Sequence, residues 1–350
     1  MKIQDVLVLK RGYDLPESKR INGQYLIYSS NGIAGSHNEY KVKGPAVITG
    51  RSGSLGTVQY TENNCWPLNT TLYVSDFKGN NPKYISYLLQ MLHLEKYGSG
   101  SAVPTLNRNH LDNLEVTFHS LIEQQHIVDI IGSIDDKIEN NNKIIEKSYE
   151  LLDLRMKKLM IGKSKKIISD FKEIEIIGSG INKFDREKIY LDTSCVAGNS
   201  IIDTSYNVSY NERPSRANMQ PIINSVWFAK LKNSPKHIIV KDYSNEILNN
   251  YVFSTGFMGI KMPEEKFDLL AIYFISDIFD KEKDSLSIGA TMQSINNNTF
   301  KNMYIPKFIE NDYKEFNDIS NDILKAIYSM ELENYKLNKL KQLYLKKFFG

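Results

Sequence analysis

The stretch Gly100-Ser-Ala-Val-Pro-Thr-Leu-Asn-Arg-Asn-His-Leu-Asp-Asn-Leu-Glu-Val-Thr117 decides how this chain is built. It returns as Gly289-Ala-Thr-Met-Gln-Ser-Ile-Asn-Asn-Asn-Thr-Phe-Lys-Asn-Met-Tyr-Ile-Pro306. At this offset of 189 residues Asn107, Asn109 and Asn113 fall on Asn296, Asn298 and Asn302, and Leu106, Leu111 and Leu114 fall on Ile295, Phe300 and Met303. The register runs on without a gap: Asp129 meets Asp318, Ile134 meets Ile323, Ile138 meets Ile327, and Lys157-Lys158 meet Lys346-Lys347. A period held this way is the mark of one structural unit used twice. Two unrelated helices can share a heptad, but a heptad gives no reason for an asparagine-rich lead-in to recur.

Each copy ends in a long helix. The first seam reads Ile127, Ile131, Ile134, Ile138, Asn141, Ile145, Ser148, Leu152 and Leu159, in steps of three and four. That 3.5-residue period belongs to a coiled coil rather than to a globular helix face. Its counterpart reads Phe316, Ser320, Ile323, Ile327, Met330, Asn334, Leu337, Lys341, Tyr344 and Phe348. At 1.5 Å per residue such a helix spans roughly 55–60 Å. An apolar seam needs a partner, and the economical one is the other copy, packed antiparallel across a pseudo-twofold axis. Asn141 and Asn334 then interrupt the seam and fix its register at some cost in stability.

The regions before the helices read as strand-rich. Tyr25-Leu-Ile-Tyr28, Ala46-Val-Ile-Thr49, Thr57-Val-Gln-Tyr60 and Leu72-Tyr-Val74 are β-prone runs separated by glycine- and serine-rich turns, and Pro82 to Lys96 reads as helix. Gly50-Arg-Ser-Gly-Ser-Leu-Gly56 is a tight loop presenting Arg51 and Ser52. Ser225-Val-Trp-Phe228, the turn Ala229 to Pro235 and His237-Ile-Ile-Val240 repeat this strand–loop–strand unit, which puts Lys230 where Arg51 sits. Tyr251 to Phe257 resembles the stretch around Asn69-Thr-Thr71, and a basic linker spans 162–170. The expected fold class is α+β: two mixed α/β domains, residues 1–118 and 163–307, separated by two long antiparallel coiled-coil helices, 119–162 and 308–350, with a pseudo-twofold internal repeat.

Composition narrows the function. A net charge of +3 and a pI near 8.5 permit nucleic acid as a partner without requiring it. Cys65 and Cys195 lie far apart and read as reduced thiols. The apolar run near the N-terminus is too short for a signal peptide, and nowhere do 18 apolar residues run together. The expectation is a soluble, cytoplasmic protein with no membrane partner.

The sequence carries no complete catalytic motif. Gly50 to Gly56 lacks the Gly-Lys-Ser/Thr ending of a phosphate loop and is followed by a strand, not a helix. The six histidines show no paired ligand spacing, so no metal site is expected. Asp185-Arg-Glu-Lys188 lacks the convergent carboxylates that metal-dependent cleavage needs. No Asn/Asp-Pro-Pro-aromatic motif or glycine-rich cofactor loop is present. The chain reads as non-catalytic.

Binding fits better. Two similar readers on a helical spacer form a ruler for a two-part target, and duplex DNA offers half-sites about 34–36 Å apart per helical turn. Arg51 and Lys230 lie in turns, and Arg213-Pro-Ser-Arg216 sets two guanidiniums around a rigid bend. Arginine pairs with guanine or clamps phosphate. Candidate DNA-contacting residues are Ser30, Asn31, Arg51, Ser52, Thr70, Arg213, Ser215, Arg216, Lys230, Lys232 and Thr255. The alternative is a non-catalytic coiled-coil scaffold that organises other proteins.

This organisation resembles the specificity subunits of type I restriction–modification systems, in which target-recognition domains alternate with spacer helices. The resemblance is carried by Tyr28-Ser-Ser-Asn-Gly-Ile33, Gly50 to Val58, Pro104-Thr-Leu106, Glu123-Gln-Gln-His-Ile127, Tyr190-Leu-Asp-Thr193 and Arg213-Pro-Ser-Arg-Ala217. The start of the second helix, Glu310 to Phe316, lacks the Glu-Gln-Gln signature, and the chain is on the short side. The resemblance implies that each domain reads one half of a split DNA sequence while the helices set the gap. It implies two docked adenine methyltransferase (modification) subunits that bind S-adenosylmethionine, and restriction/translocase subunits that use ATP and Mg, with no cofactor on this chain. It places partner contacts at Gln124, Gln125, Ile127, Lys157, Lys158, Lys346 and Lys347.

Overall fold

A computed structural model describes residues 1–99, 104–202, 206–289 and 292–350. Parts of the repeated lead-in, residues 100–103 and 290–291, lie outside these. The chain divides into two compact units: residues 1–139 with 334–350, and residues 140–333. This division does not set the helices apart as domains of their own. Each unit holds one reader together with a stretch of both long helices.

In the first unit β1 (Val8–Arg11), β4 (Ala46–Gly50), β5 (Val58–Thr61) and β7 (Thr71–Asp76) form an antiparallel sheet in the order β1-β7-β4-β5. Strand β4 is buried on both faces, which explains its unbroken Ala-Val-Ile-Thr run. A second sheet has the order β3-β2-β6, from β2 (Tyr25–Ser29), β3 (Gly32–His37) and β6 (Cys65–Pro67), with β2 and β6 parallel. Helix α1 (Pro82–Met91) closes the first sheet; Asn81 caps it by accepting from the Lys83 and Tyr84 amides, and Pro82 supplies the fixed φ that suits a first turn. The short helix α2 (Arg108–Leu111) follows, then α3 (Leu121–Met160).

The second unit rebuilds this scheme. Strands β8 (Glu175–Ile176), β12 (Ser225–Ala229), β13 (His237–Val240) and β15 (Phe257–Lys261) take the order β8-β15-β12-β13, again antiparallel. The other sheet runs β10-β9-β14-β11, from β9 (Lys188–Leu191), β10 (Tyr206–Val208), β11 (Ala217–Met219) and β14 (Tyr251–Ser254), with β9 and β14 parallel as β2 and β6 are. Helix α4 (Glu264–Phe274) takes the place of α1, and α5 (Asp277–Ser285), α6 (Asn297–Lys301) and α7 (Glu310–Phe349) follow. At the 189-residue offset Asn107 and Asn296 both cap the short helices α2 and α6, and Leu106, Leu111, Ile295 and Phe300 are all buried. The strand-rich readers, the repeat and the two long helices are therefore as the sequence led one to expect.

Within each unit the long helices lie along the reader. In the first, Ile127 and Ile131 of α3 share a core with Leu345 of α7. Lys341 reaches Asp135 at 2.6 Å, while Tyr87 of α1 donates to the same carboxylate at 2.7 Å. In the second, Ile145, Leu152 and Met156 of α3 share a core with Phe316, Leu324 and Ile327 of α7. The start of α3 thus meets the end of α7 in one unit, and its end meets the start of α7 in the other, the antiparallel arrangement expected. Asn141 is buried at the seam and donates to Glu333 at 2.8 Å; Asn334 is buried too.

Both cysteines are free and buried. Among the described residues no helix is long and apolar enough to cross a membrane.

Candidate nucleic-acid interface

In the first unit three turns meet at one edge of the sheets. The β2–β3 turn carries Ser30 and Asn31; the Ser29 hydroxyl donates to the Gly32 carbonyl and accepts from the Asn31 amide. The β4–β5 loop packs against it, because Thr57 Oγ1 donates to the Ser30 carbonyl at 2.7 Å and Gln59 Nε2 to the Ser29 carbonyl at 3.0 Å. Gly53 and Gly56 in this loop have φ of +86° and +77°, a left-handed backbone that side-chain-bearing residues resist. The third turn, between β6 and β7, offers the Thr70 carbonyl to the amides of both Arg51 and Ser52, at 2.9 and 3.1 Å. Arg51 Nη1 then reaches the Asn69 carbonyl at 3.3 Å, and the Asn69 side chain donates to Asp14.

The second unit makes a related surface. The Lys230 amide donates to the Gly256 carbonyl at 3.0 Å and the Thr255 amide to the Arg216 carbonyl at 2.8 Å. Arg216, Lys230 and Thr255 therefore converge. The equivalence of Arg51 and Lys230 is geometric: the Leu106 amide donates to the Arg51 carbonyl at 2.8 Å, and the Ile295 amide, 189 residues on, to the Lys230 carbonyl at 3.0 Å. Lys232 and Ser215 are exposed nearby in sequence.

Several candidates take another role. Ser30 is buried and the Thr70 hydroxyl is shielded from solvent; their carbonyls, which accept from Thr57 and from the Arg51 and Ser52 amides, hold the turns together. Arg213 spends its guanidinium on the carbonyls of Ala217, at 3.1 Å, and Tyr210, and stacks 4.3 Å from the Tyr210 ring. It shapes the bend that presents Arg216. Gln124 and Ile127 were expected to face a partner and do not, since both are buried. Gln124 accepts from the Asn81 amide and donates to Asn80 Oδ1 and the His119 carbonyl, each at 3.0 Å, locking the start of α3 to the cap of α1. Ile127 fills the core. Gln125, Lys158, Lys346 and Lys347 remain exposed, whereas Lys157 is paired with Asp153 and Asp277.

Sequence reasoning missed three features. Glu123 and Ser120 form a capping box at the start of α3, with Ser120 N to Glu123 Oε2 at 2.8 Å. Asp312, at the 189-residue offset, bonds the Ile309 amide in the same way, so the missing Glu-Gln-Gln signature is replaced in function by one carboxylate. The repeat offset alone would have shown this. Asp192 is the second feature. Burial pushes its carboxyl up, but the Ser194 amide, the Tyr190 hydroxyl and the Arg216 charge together hold it below the ordinary carboxylate range. It supplies a negative charge close to Arg216, which only the folded arrangement reveals. The third is a hollow beside Lys230 lined by Ser294 and Asn296 to Asn298.

With this geometry in view, comparison with known proteins is informative. Residues 1–147 match the family described as the type I restriction modification DNA specificity domain. The chain is 28% identical over 124 residues to the type I restriction enzyme EcoprrI specificity subunit of Escherichia coli, a match that takes in 35% of this chain and 31% of that protein. The chain thus spans about a third of the length of that curated relative. Its fold resembles the crystal structure of a type I restriction-modification system S subunit from M. genitalium, with a TM-score of 0.60, 16% identity, and 100% of this chain and 95% of that one covered. The HsdS subunit from Thermoanaerobacter tengcongensis aligns over 99% of this chain and 95% of its own with 10% identity, but at a TM-score of 0.33 the likeness is loose. Residues 1–147 thus match the DNA specificity domain family, and the fold of the whole chain is similar to that of the M. genitalium S subunit. The resemblance read from the sequence is borne out.

Proposed function

We propose that this chain is the addressing component of a type I restriction–modification complex, each reader recognising one half of a bipartite DNA sequence. One observation carries the reading. Two units share sheet orders and carbonyl-anchored loops, yet hold different side chains where the loops project: Arg51, Ser52 and Asn31 in one, Arg216, Lys230 and Thr255 in the other. A shared framework with divergent tips is what two readers of different half-sites need. The long helices set the gap and dock two adenine methyltransferase subunits through exposed positions that include Gln125, Lys158, Lys346 and Lys347. Catalysis belongs to the partners: S-adenosylmethionine on the modification subunits, ATP and Mg on restriction/translocase subunits, all in the cytoplasm.

The test is a gel shift of the chain reconstituted with its methyltransferase subunits on duplex pools. The complex should select a split sequence. Arg51→Ala should relax one half and Arg216→Ala the other, each by about 1–3 kcal/mol. Indifference of the complex to sequence refutes the reading.

A further inference from the structure

The hollow beside Lys230 has a volume of about 420 Å³ and is lined by Lys230, Ser294, Ile295 and the three consecutive asparagines Asn296, Asn297 and Asn298. Its lining brings together one cation, neutral hydrogen-bonding groups and no carboxylate. Lys230 is half-buried, and among the described residues no carboxylate lies within ion-pair distance of it. Its nearest charged influence is another cation, since burial first and then the charge of Arg216 both push the Lys230 ammonium down. Asp192 offsets the charge of Arg216, but Lys230 has no carboxylate of its own, so an anion entering the hollow relieves the cost of its partial burial beside a second cation. The main chain of Lys230 is held at the hollow, because its amide and carbonyl are both used, by Gly256 and Ile295.

We infer that this hollow is a phosphodiester seat, in which Lys230 neutralises one backbone phosphate of bound DNA and the Asn297 and Asn298 amides donate to its oxygens. The inference rests on the proposed DNA-reading role and sharpens it. Lys230 then positions the duplex and carries no sequence information, while base choice in this reader falls to Arg216. The Asn296 side chain is oriented by its Oδ1, which accepts from the Thr299 amide and hydroxyl as the cap of α6, and only its Nδ2 is left to donate. The same scheme gives one of the recurring asparagines, Asn298, a use that helix capping does not.

Salt dependence separates these roles without knowledge of the target. Binding of a random-sequence 30-base-pair duplex by the full-length chain reconstituted with its methyltransferase subunits is measured from 50 to 200 mM salt. Removing one phosphate contact lowers the slope of log K against log salt by about 0.9. Lys230→Met should lose that increment and weaken binding to all sequences alike, and Lys230→Arg should keep it. Thermal melting of both variants controls for folding, and Asn298→Ala, on the exposed rim, should weaken binding with the fold intact. An unchanged slope in Lys230→Met overturns the seat, as does a relaxed preference at one base position in duplex pools. Protection of Lys230 by inorganic phosphate without any change in DNA binding would mark a free-anion site and also overturn it. If the complex with the unaltered chain binds no duplex at 50 mM salt, the DNA-reading role itself fails, which is a separate result.

Discussion

Asp268→Ala should be among the most damaging single substitutions in the second unit. Asp268 and Lys241 are 1% and 5% exposed, and Lys241 Nζ lies 2.8 Å from Asp268 Oδ1. Asn321 accepts a further bond from Lys241 at 3.2 Å, and the buried Ser320 hydroxyl donates to Asp268 Oδ2 at 2.7 Å. Every charge in this cluster is satisfied, and it joins the end of β13, helix α4 and helix α7. Removing the carboxylate leaves a buried ammonium with one amide oxygen for company. Breaking a buried pair from one side costs about 3–5 kcal/mol. For a unit of this size that corresponds to a fall of roughly 6–20 °C in melting temperature. Calorimetry or circular dichroism melts of the full-length chain supply the measurement. The double variant Lys241→Met with Asp268→Leu should recover most of the loss, because it removes both charges and restores apolar volume. A loss below about 1 kcal/mol for Asp268→Ala would show that the pair is solvated and the reasoning wrong.

Other expectations are as definite. Glu331 is largely buried and its pKa is raised from 4.5 to about 7 by that burial, against the pull of the Ser200 hydroxyl at 2.9 Å. The folded state holds this proton more tightly than the unfolded chain, so stability falls as pH rises from about 4.5 to about 7, by up to about 3 kcal/mol. Urea titrations across that range should show the limb, and Glu331→Gln should flatten it. A methyl group on Gly259 would sit 2.5 Å from the Trp227 ring, which is fully buried, so Gly259→Ala should cost about 1–3 kcal/mol in a thermal melt. Gln124→Ala strands the Asn81 amide and the His119 carbonyl, and should cost about 1–3 kcal/mol of stability. If Gln124 instead served docking, co-purification with the methyltransferase would fail while the melt stayed unchanged.

Much of the architecture was legible because the repeat and the seam are periodic signals. The repeated strand–loop–strand order, not the 189-residue offset, set Lys230 where Arg51 sits, and backbone bonds from Leu106 and Ile295 join the two positions to equivalent partners. The seam positions Ile127, Ile131, Ile145, Leu152 and Ile327 are buried for the reason the heptad gives. The site was less legible. Arg213 and Arg216 share one motif, yet only the fold shows that Arg213 binds its own turn while Arg216 faces outward. Gln124 looked like a surface signature because glutamine is polar, but its amide closes a helix junction that joins residues 43 and 44 positions apart in sequence. Asp192 stood within the Tyr190-Leu-Asp-Thr193 motif with no role attached to it; its link to Arg216 forms only when the turns after β9 and before β11 come together.

On this reading one chain supplies a two-part DNA address. The most direct measurement maps N6-methyladenine across the host genome in three strains: unaltered, lacking this gene, and carrying Arg216→Ala. A bipartite motif should be methylated in the first and unmethylated in the second, and in the third one half should relax while the other stays unchanged. An identical methylation map with and without the gene would contradict the claim.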